Sequence, residues 1–428
     1  MTRSTQVRGT IFALLLQALI CLPALAEPVP RSINEIVALA KKQSAELIAL
    51  EKEAEAKQAL AVQSGALANP TLELQGSTGS LSGSPDERSA SIGINQEIPL
   101  NGKLRLRREA GQREAEAAQR QRDNAARLLK EEVSTLAFDL DLADKRRELA
   151  ADLVGLNRDL VSIAEERFKA GDIPELELNL AKVELARAES RRLQAERESL
   201  PLRIRISSLT GLNEAAFNLA EDLFVPVVSQ TSQELLKQAL AARPDLQALV
   251  LERNKAETET RLAVAESIPN PTVGFFAQRQ RSATELGDLS SISSNTQLGV
   301  RLSMPIPVFD RNQGGRAASR SRLGAAGSRY LALERTVTAE VESAFSRLSA
   351  SERILALFKQ GIIPQLTENL KLTQEAYRLG EVGILAVIEE QKKFFEVNDG
   401  YLAALHDRCV AFVKLESAVA IDLSGGVQ

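Results

Sequence analysis

Phe168-Lys169-Ala170-Gly171-Asp172-Ile173 and Tyr377-Arg378-Leu379-Gly380-Glu381-Val382 are two copies of one pattern, 209 positions apart: aromatic, basic, any residue, glycine, acid, apolar. Each copy sits between two long stretches with helical periodicity. A glycine at such a place supplies the left-handed backbone that ends a helix, so each copy reads as the tip of a helical hairpin. The first tip is expected near 167–176 and the second near 376–386.

Moving outward from the tips, the repetition extends over the whole chain. Ile98-Pro99-Leu100 recurs as Ile306-Pro307-Val308, offset by 208, and Asn69-Pro70-Thr71 as Asn270-Pro271-Thr272, offset by 201. The capping box Ser32-Ile33-Asn34-Glu35 has its counterpart in Thr231-Ser232-Gln233-Glu234, 199 positions on. Four landmarks in one order at nearly one spacing mean a tandem duplication. The first repeat is placed at 27–228 and the second at 229–428.

Each repeat begins with a helix of about 35 residues ending at the Asn-Pro. Period-two segments follow. Leu72 and Leu74 alternate with Thr71, Glu73 and Gln75, and Ile92, Ile94 and Ile98 with Ser91, Asn95 and Glu97. In the second repeat Val273, Phe275 and Ala277 pair with Leu298, Val300, Leu302 and Met304 across a serine-rich stretch, Ser282 to Ser294, that reads as a loop. These are two hairpins, at about 70–100 and 271–307. Beyond each lies a proline-free run, Leu100 to Ile173 and Val308 to Ile363, long enough for a helix approaching about 100 Å. Leu149, Leu153, Leu156, Leu160 and Ile163 form one coiled-coil seam, and Val337, Val341, Ala344, Leu348, Leu355, Phe358 and Ile362 another. The fold class is mainly α with a small β part: long antiparallel coiled-coil hairpins plus four strands.

Composition agrees with long helices: no tryptophan, 4% aromatics, and a net charge of -4 that makes nucleic acid a poor partner. Residues 1–26 read as a removable leader, with Arg3 and Arg8, an apolar core from Ile11 to Leu22, and Ala24-Leu25-Ala26 for cleavage. Cys21 falls within that core, which leaves Cys409 as the one mature thiol and no internal disulfide. His406 and Cys409 could share a helical face, but two soft ligands do not close a metal site. No phosphate loop, nucleophile–base pair or singled-out carboxylate dyad is present, so neither an enzyme nor a cofactor is expected.

Closure of the strands decides the architecture. Four amphipathic strands in an exported chain have one apolar and one polar face, yet membrane barrels need at least about eight strands and tolerate no open edge. Three chains of four strands close a barrel of twelve, and the helices continue it as a hollow α-barrel. A homotrimeric duct through outer-membrane lipid follows.

These features resemble TolC-type outer-membrane factors along nearly all of the mature length. Gln96-Glu97-Ile98-Pro99-Leu100-Asn101-Gly102-Lys103 and Pro305-Ile306-Pro307-Val308-Phe309-Asp310-Arg311-Asn312-Gln313-Gly314 resemble the CzcC branch serving heavy-metal efflux. The resemblance implies the exit channel of a tripartite pump in the outer membrane of a Gram-negative bacterium. Its partners would be a periplasmic adaptor (membrane fusion) protein and an inner-membrane transporter of the RND type, with divalent cations such as cobalt, zinc or cadmium as substrate. Drug efflux, type I protein secretion and a periplasmic adaptor role are the alternatives.

The resemblance also assigns residues. The tips that would meet the adaptor are Arg167, Phe168, Gly171 and Asp172, with Tyr377, Arg378, Gly380 and Glu381, each tip presenting an exposed aromatic and an acid able to cap the next helix. The family constricts its channel with acids at two positions matching Ala386 and Glu389 here, and only the second is acidic. Glu177, the first-repeat equivalent of Ala386, together with Glu389 and neighbouring Glu390, would form the gate, where rings of carboxylates favour cations.

Overall fold

The computed structural model describes residues 29–81, 86–213, 217–219, 225–286 and 289–423. The leader expected at 1–26, Cys21 included, lies outside them. The element order is β1 (Val29–Arg31), α1 (Ile33–Gln43), α2 (Ala45–Ser64), β2 (Thr71–Thr78), β3 (Arg88–Glu97), α3 (Lys103–Ala170), α4 (Glu175–Thr210) and β4 (Phe217–Leu219). The second half repeats it with α5 (Ser232–Ala242), α6 (Pro244–Ala265), β5 (Thr272–Leu286), β6 (Leu289–Ser303), α7 (Gln313–Leu357), a turn of π-helix (Phe358–Ile362), α8 (Ile363–Arg378) and α9 (Ile384–Val419).

Three expectations are corrected. The single helix before each Asn-Pro is two. Pro244 pushes Arg243 into an extended conformation (φ -62°, ψ 122°), and Ser44 takes nearly the same one (φ -64°, ψ 109°) without a proline. The second long helix is interrupted at Phe358–Ile362, where Gly361 precedes Pro364; the seam buries Val337, Val341, Ala344, Leu348 and Leu355 but leaves Ile362 exposed. The stretch Ser282 to Ser294 is largely strand rather than loop, because β5 and β6 stay in register out to Leu286 and Leu289. Ser282 and Ser293 even meet across the ladder, hydroxyl to hydroxyl, at 3.0 Å.

The chain divides into two compact units. One comprises the described residues up to Ser44, within Arg127–Ser232 and from Glu342 onward. Its core gathers Ile36, Val37 and Ala40 of α1 against Val133 and Leu140 of α3, Ile206 of α4 and Phe217 of β4. Ser32 starts α1, its hydroxyl accepting from the Glu35 amide at 3.3 Å, which is half of the expected capping box. A short parallel pairing of β1 with β4, absent from the sequence reading, places Phe217 in this core. Arg203 donates to the Phe217 carbonyl (3.0 Å) and to Asp144 (2.9 Å).

The other unit comprises Ala45–Ala126 and Gln233–Val341 and contains the antiparallel sheet, in the order β2-β3-β5-β6. The two hairpins are thus neighbours, joined by β3 against β5 with Glu97 opposite Thr272 and Arg88 opposite Arg281.

Candidate functional site: the curled sheet and the paired turns

The register sorts the sheet residues into two faces. Leu72, Ile94, Phe275 and Val300 form one cross-strand row, and Leu74, Ile92, Ala277 and Leu298 the next. This apolar face is bare, with Phe275 at 64% exposure and Leu298 at 84%. Glu73, Gln75, Asn95, Gln278, Gln297 and Arg301 lie on the opposite face.

The sheet curls toward its polar side. Glu73 is on the first strand and Arg301 on the last, three strand spacings or roughly 14 Å apart in a flat sheet, yet their side chains meet at 3.5 Å. Asn95 donates to the same Glu73 carboxylate at 2.8 Å. Glycines make room for this: a Cβ on Gly299 would lie 2.4 Å from the Phe276 ring and one on Gly274 would collide with the Asn95 amide. Arg301 stacks over Phe276 at 5.2 Å. Sequence reasoning missed this cluster. Its signal was an aromatic out of phase with the apolar alternation, at Phe276, flanked on neighbouring strands by Gly93 and Gly299.

Where sheet gives way to helix, Asn270 organises the junction. Its side-chain oxygen accepts from the Leu100 amide (3.2 Å) and from the Lys103 ammonium, and its amide donates to Glu97 at 2.6 Å. Lys103, 3% exposed, also donates to the Ile268 carbonyl at 2.5 Å, and burial pushes its ammonium below the usual lysine range. The repeat mate Asn69 is exposed.

The two tips share one backbone geometry. Asp172 N–H donates to Arg167 O (2.9 Å) and Gly171 N–H to Phe168 O (3.0 Å); Glu381 donates to Ala376 O (2.9 Å) and Gly380 to Tyr377 O (3.0 Å). Each is a Schellman motif, with glycine at φ 84° and 81°. The acids do not cap the following helices. Pro174 and Gly383 occupy the N-cap positions and no side chain bonds there, the backbone turning through Glu177 N–H to Pro174 O and Ala386 N–H to Gly383 O instead.

The aromatics also part company. Phe168 is exposed at 39%, whereas Tyr377, read from the sequence as an exposed aromatic, is 0% exposed and packs with Leu160, Ala164, Ile173, Leu178, Ile384 and Val387. Arg167 crosses from the first tip to the second, stacking 4.9 Å from the Tyr377 ring centre and donating to the Tyr377 carbonyl at 2.9 Å. Asp172, Arg378 and Glu381 are exposed.

The expected gate carboxylates occupy three environments. Glu177 is half-buried with one oxygen enclosed and unpartnered, as is the Tyr377 hydroxyl; burial first, and then the Glu177 charge, push that phenol above its ordinary range. Glu389 is exposed, and Glu390 lies 3.5 Å from Lys393. Among the described residues no hydrogen bond or ion pair joins Glu177 to Glu389 or Glu390. Far from the tips, His406 bonds Asp139 at 2.7 Å and Cys409 is buried.

A profile of the family described as outer membrane efflux protein matches residues 36–212 and 235–420, one match in each repeat. The chain belongs to that family. This outer membrane efflux protein is 24% identical over 376 residues to the cobalt-zinc-cadmium resistance protein CzcC of Cupriavidus metallidurans, spanning 88% of this chain and 87% of the relative. Its fold matches the CusC transmembrane channel (TM-score 0.74, 17% identity, 92% of this chain and 93% of that one). It also matches the outer-membrane channel OprN (TM-score 0.75, 17% identity, 93% and 95%). No helix among the described residues is long and apolar enough to cross a membrane.

Proposed function

We propose that three copies of this outer membrane efflux protein close a twelve-stranded barrel and form the exit channel of a tripartite system exporting divalent heavy-metal cations. The observation that carries the reading is the curled four-stranded sheet: apolar outside, polar inside, and open along β2 and β6. In lipid those edges must pair, and a second copy supplies the matching edge. The cation substrate is supported by the cobalt-zinc-cadmium resistance relative and by the carboxylates near the tips.

The chain conducts and its partners drive. A periplasmic adaptor would dock on Phe168, Asp172, Arg378 and Glu381 at the tips, and an inner-membrane transporter of the RND type would supply energy. Glu177, Glu389 and Glu390 would line the narrow end, their charges admitting cations and resisting complete closure by mutual repulsion.

Mass determination of the detergent-extracted complex tests the assembly: a trimer is expected, and a stable monomer or dimer would leave the edges open and reject it. Conductance in planar bilayers then tests the gate, since Glu389→Ala is expected to weaken cation selectivity and block by divalent ions. A deletion strain with unchanged metal sensitivity and lost drug resistance would replace the substrate.

A further inference from the structure

Each open edge of the sheet carries one charged residue, and the two are opposite in sign. On β2 it is Glu73 and on β6 it is Arg301, both on the polar face. Every other side chain along these two strands is neutral. Within one chain the pair meets at 3.5 Å across the curled sheet, with Asn95 and Gln75 donating to the carboxylate and the Phe276 ring beneath the guanidinium. Both side chains stay partly exposed, at 34% for Glu73 and 52% for Arg301. A pair so placed is weak, and an equivalent group on another copy can take over either half of it.

The duplication tells where that group comes from. Thr71 stands opposite Asn95 in the first hairpin, and their repeat mates Thr272 and Ser303 stand opposite each other in the second. The offsets of 201 and 208 thus carry strand register as well as sequence. Where β3 meets β5, Gly93 faces Phe276 and Asn95 faces Gly274. Carried by the same offsets to the seam between copies, Arg301 of one copy faces Gln75 of the next, and Ser303 faces Glu73. Arg301 then stands diagonal to Glu73 of the next copy, at about 7–8 Å, within reach of long side chains. The mates of this diagonal pair inside the chain are Gly93 and Gly274, where a Cβ would touch Phe276 at 3.4 Å or collide with Asn95. Opposite charges therefore occupy the seam that must find another copy, and glycines the seam that forms within the chain.

The signs also disfavour wrong joins. Two β2 edges, or two β6 edges, would meet in a closed two-fold dimer and put like charges on one face of the seam. Only β6 against β2 brings opposites together, and that contact is head-to-tail, the kind that propagates into a ring. Repulsion across the wrong join serves selectivity as much as attraction across the right one.

We propose that Glu73 and Arg301 select the edge that each copy joins. On assembly, the pair held within the chain is exchanged for pairs between Arg301 of one copy and Glu73 of the next, all around the ring. The proposal rests on the barrel reading above and adds the residues that set its head-to-tail direction.

The test reverses both charges at once. A full chain carrying Glu73→Arg with Arg301→Glu keeps its internal pair and its complementary edges, so alone it should assemble as wild type does. Wild-type and reversed chains, one of them tagged to separate the masses, are then co-expressed and the detergent-extracted assemblies weighed by native mass spectrometry. Random mixing would make about three quarters of the trimers mixed. Each mixed trimer has two seams of like charge, so mixed trimers are expected at least about fivefold below that proportion. Random mixing overturns the selection, because the internal pair is intact in both chains. A wild type that is not trimeric overturns the barrel reading itself, whereas a trimeric wild type that mixes at random overturns the edge charges alone. Should the reversed chain fail to assemble, a neutral chain carrying Glu73→Gln with Arg301→Gln decides. Two-chain products raised at least about fivefold over wild type support the selection, and an unchanged share overturns it.

Discussion

Tyr377 shows what a buried aromatic at a turn does. Its ring fills the core beneath both tips and carries Arg167 on its face, while its hydroxyl finds no partner. Tyr377→Phe should therefore change stability by less than about 1 kcal/mol, whereas Tyr377→Ala should cost about 3–5 kcal/mol. Denaturant titration with hydrogen exchange read at the tips separates the two, and a Phe variant that costs about 1.5–3 kcal/mol would show that the hydroxyl is hydrogen-bonded after all. Cys409 behaves differently, because burial pushes its thiol from 9.0 up to about 11. With the folded value raised, its contribution is fully present below pH 9 and is lost as pH rises toward about 11, amounting to roughly 2 to 3 kcal/mol. Replacing it with alanine should flatten the fall in stability across that window, and the native thiol should resist alkylation at pH 8.

At the scale of elements, the two tips are built alike but are not equally tolerant. A Cβ at Gly171 would meet nothing within 4 Å, whereas one at Gly380 would lie 3.3 Å from the Arg167 guanidinium. Gly171→Ala should cost about 1–2 kcal/mol for the left-handed backbone, and Gly380→Ala more, with faster exchange at both tips because Arg167 joins them. The junction of sheet and helix offers a second test. Removing the Asn270 side chain takes away one of the two acceptors of the buried Lys103 ammonium and leaves it the Ile268 carbonyl, so Asn270→Ala should cost about 1–3 kcal/mol. In a double-mutant cycle, Lys103→Met should recover much of that loss, and simple additivity would show that the two do not cooperate.

For the whole molecule, the repeat predicts the contact between copies. Gln96 and Val273 face each other where β3 meets β5. Their repeat mates, by the offsets of 208 and 201, are Met304, exposed one residue beyond the end of β6, and Leu72, exposed on the open edge strand β2. A Leu72→Cys, Met304→Cys double variant should oxidise into a covalent trimer, and either single variant should not. Crosslinks confined to one chain would show that the edges do not meet between copies.

The two hairpins and the two glycine tips were legible in the sequence because each rests on local chemistry: alternation for Leu72 to Leu74 and a left-handed position for Gly171 and Gly380, as the start of the first helix rests on a capping hydroxyl at Ser32. Those preferences act within a few residues, and tertiary context had no cause to reverse them. Interruptions that depend on neighbours were not legible, among them the break at Ser44 and the persistence of strand through Ser282 to Ser294, where a partner strand outweighed weak β propensity. Side-chain fate at the tips also needed the fold, since one repeated pattern yields an exposed Phe168 and a buried Tyr377. The sequence by itself determined the two hairpins, the two glycine tips and the two faces of the sheet. Only the tertiary structure decided that the sheet curls around Glu73 and Arg301, because that depends on the pairing of strands far apart in the sequence.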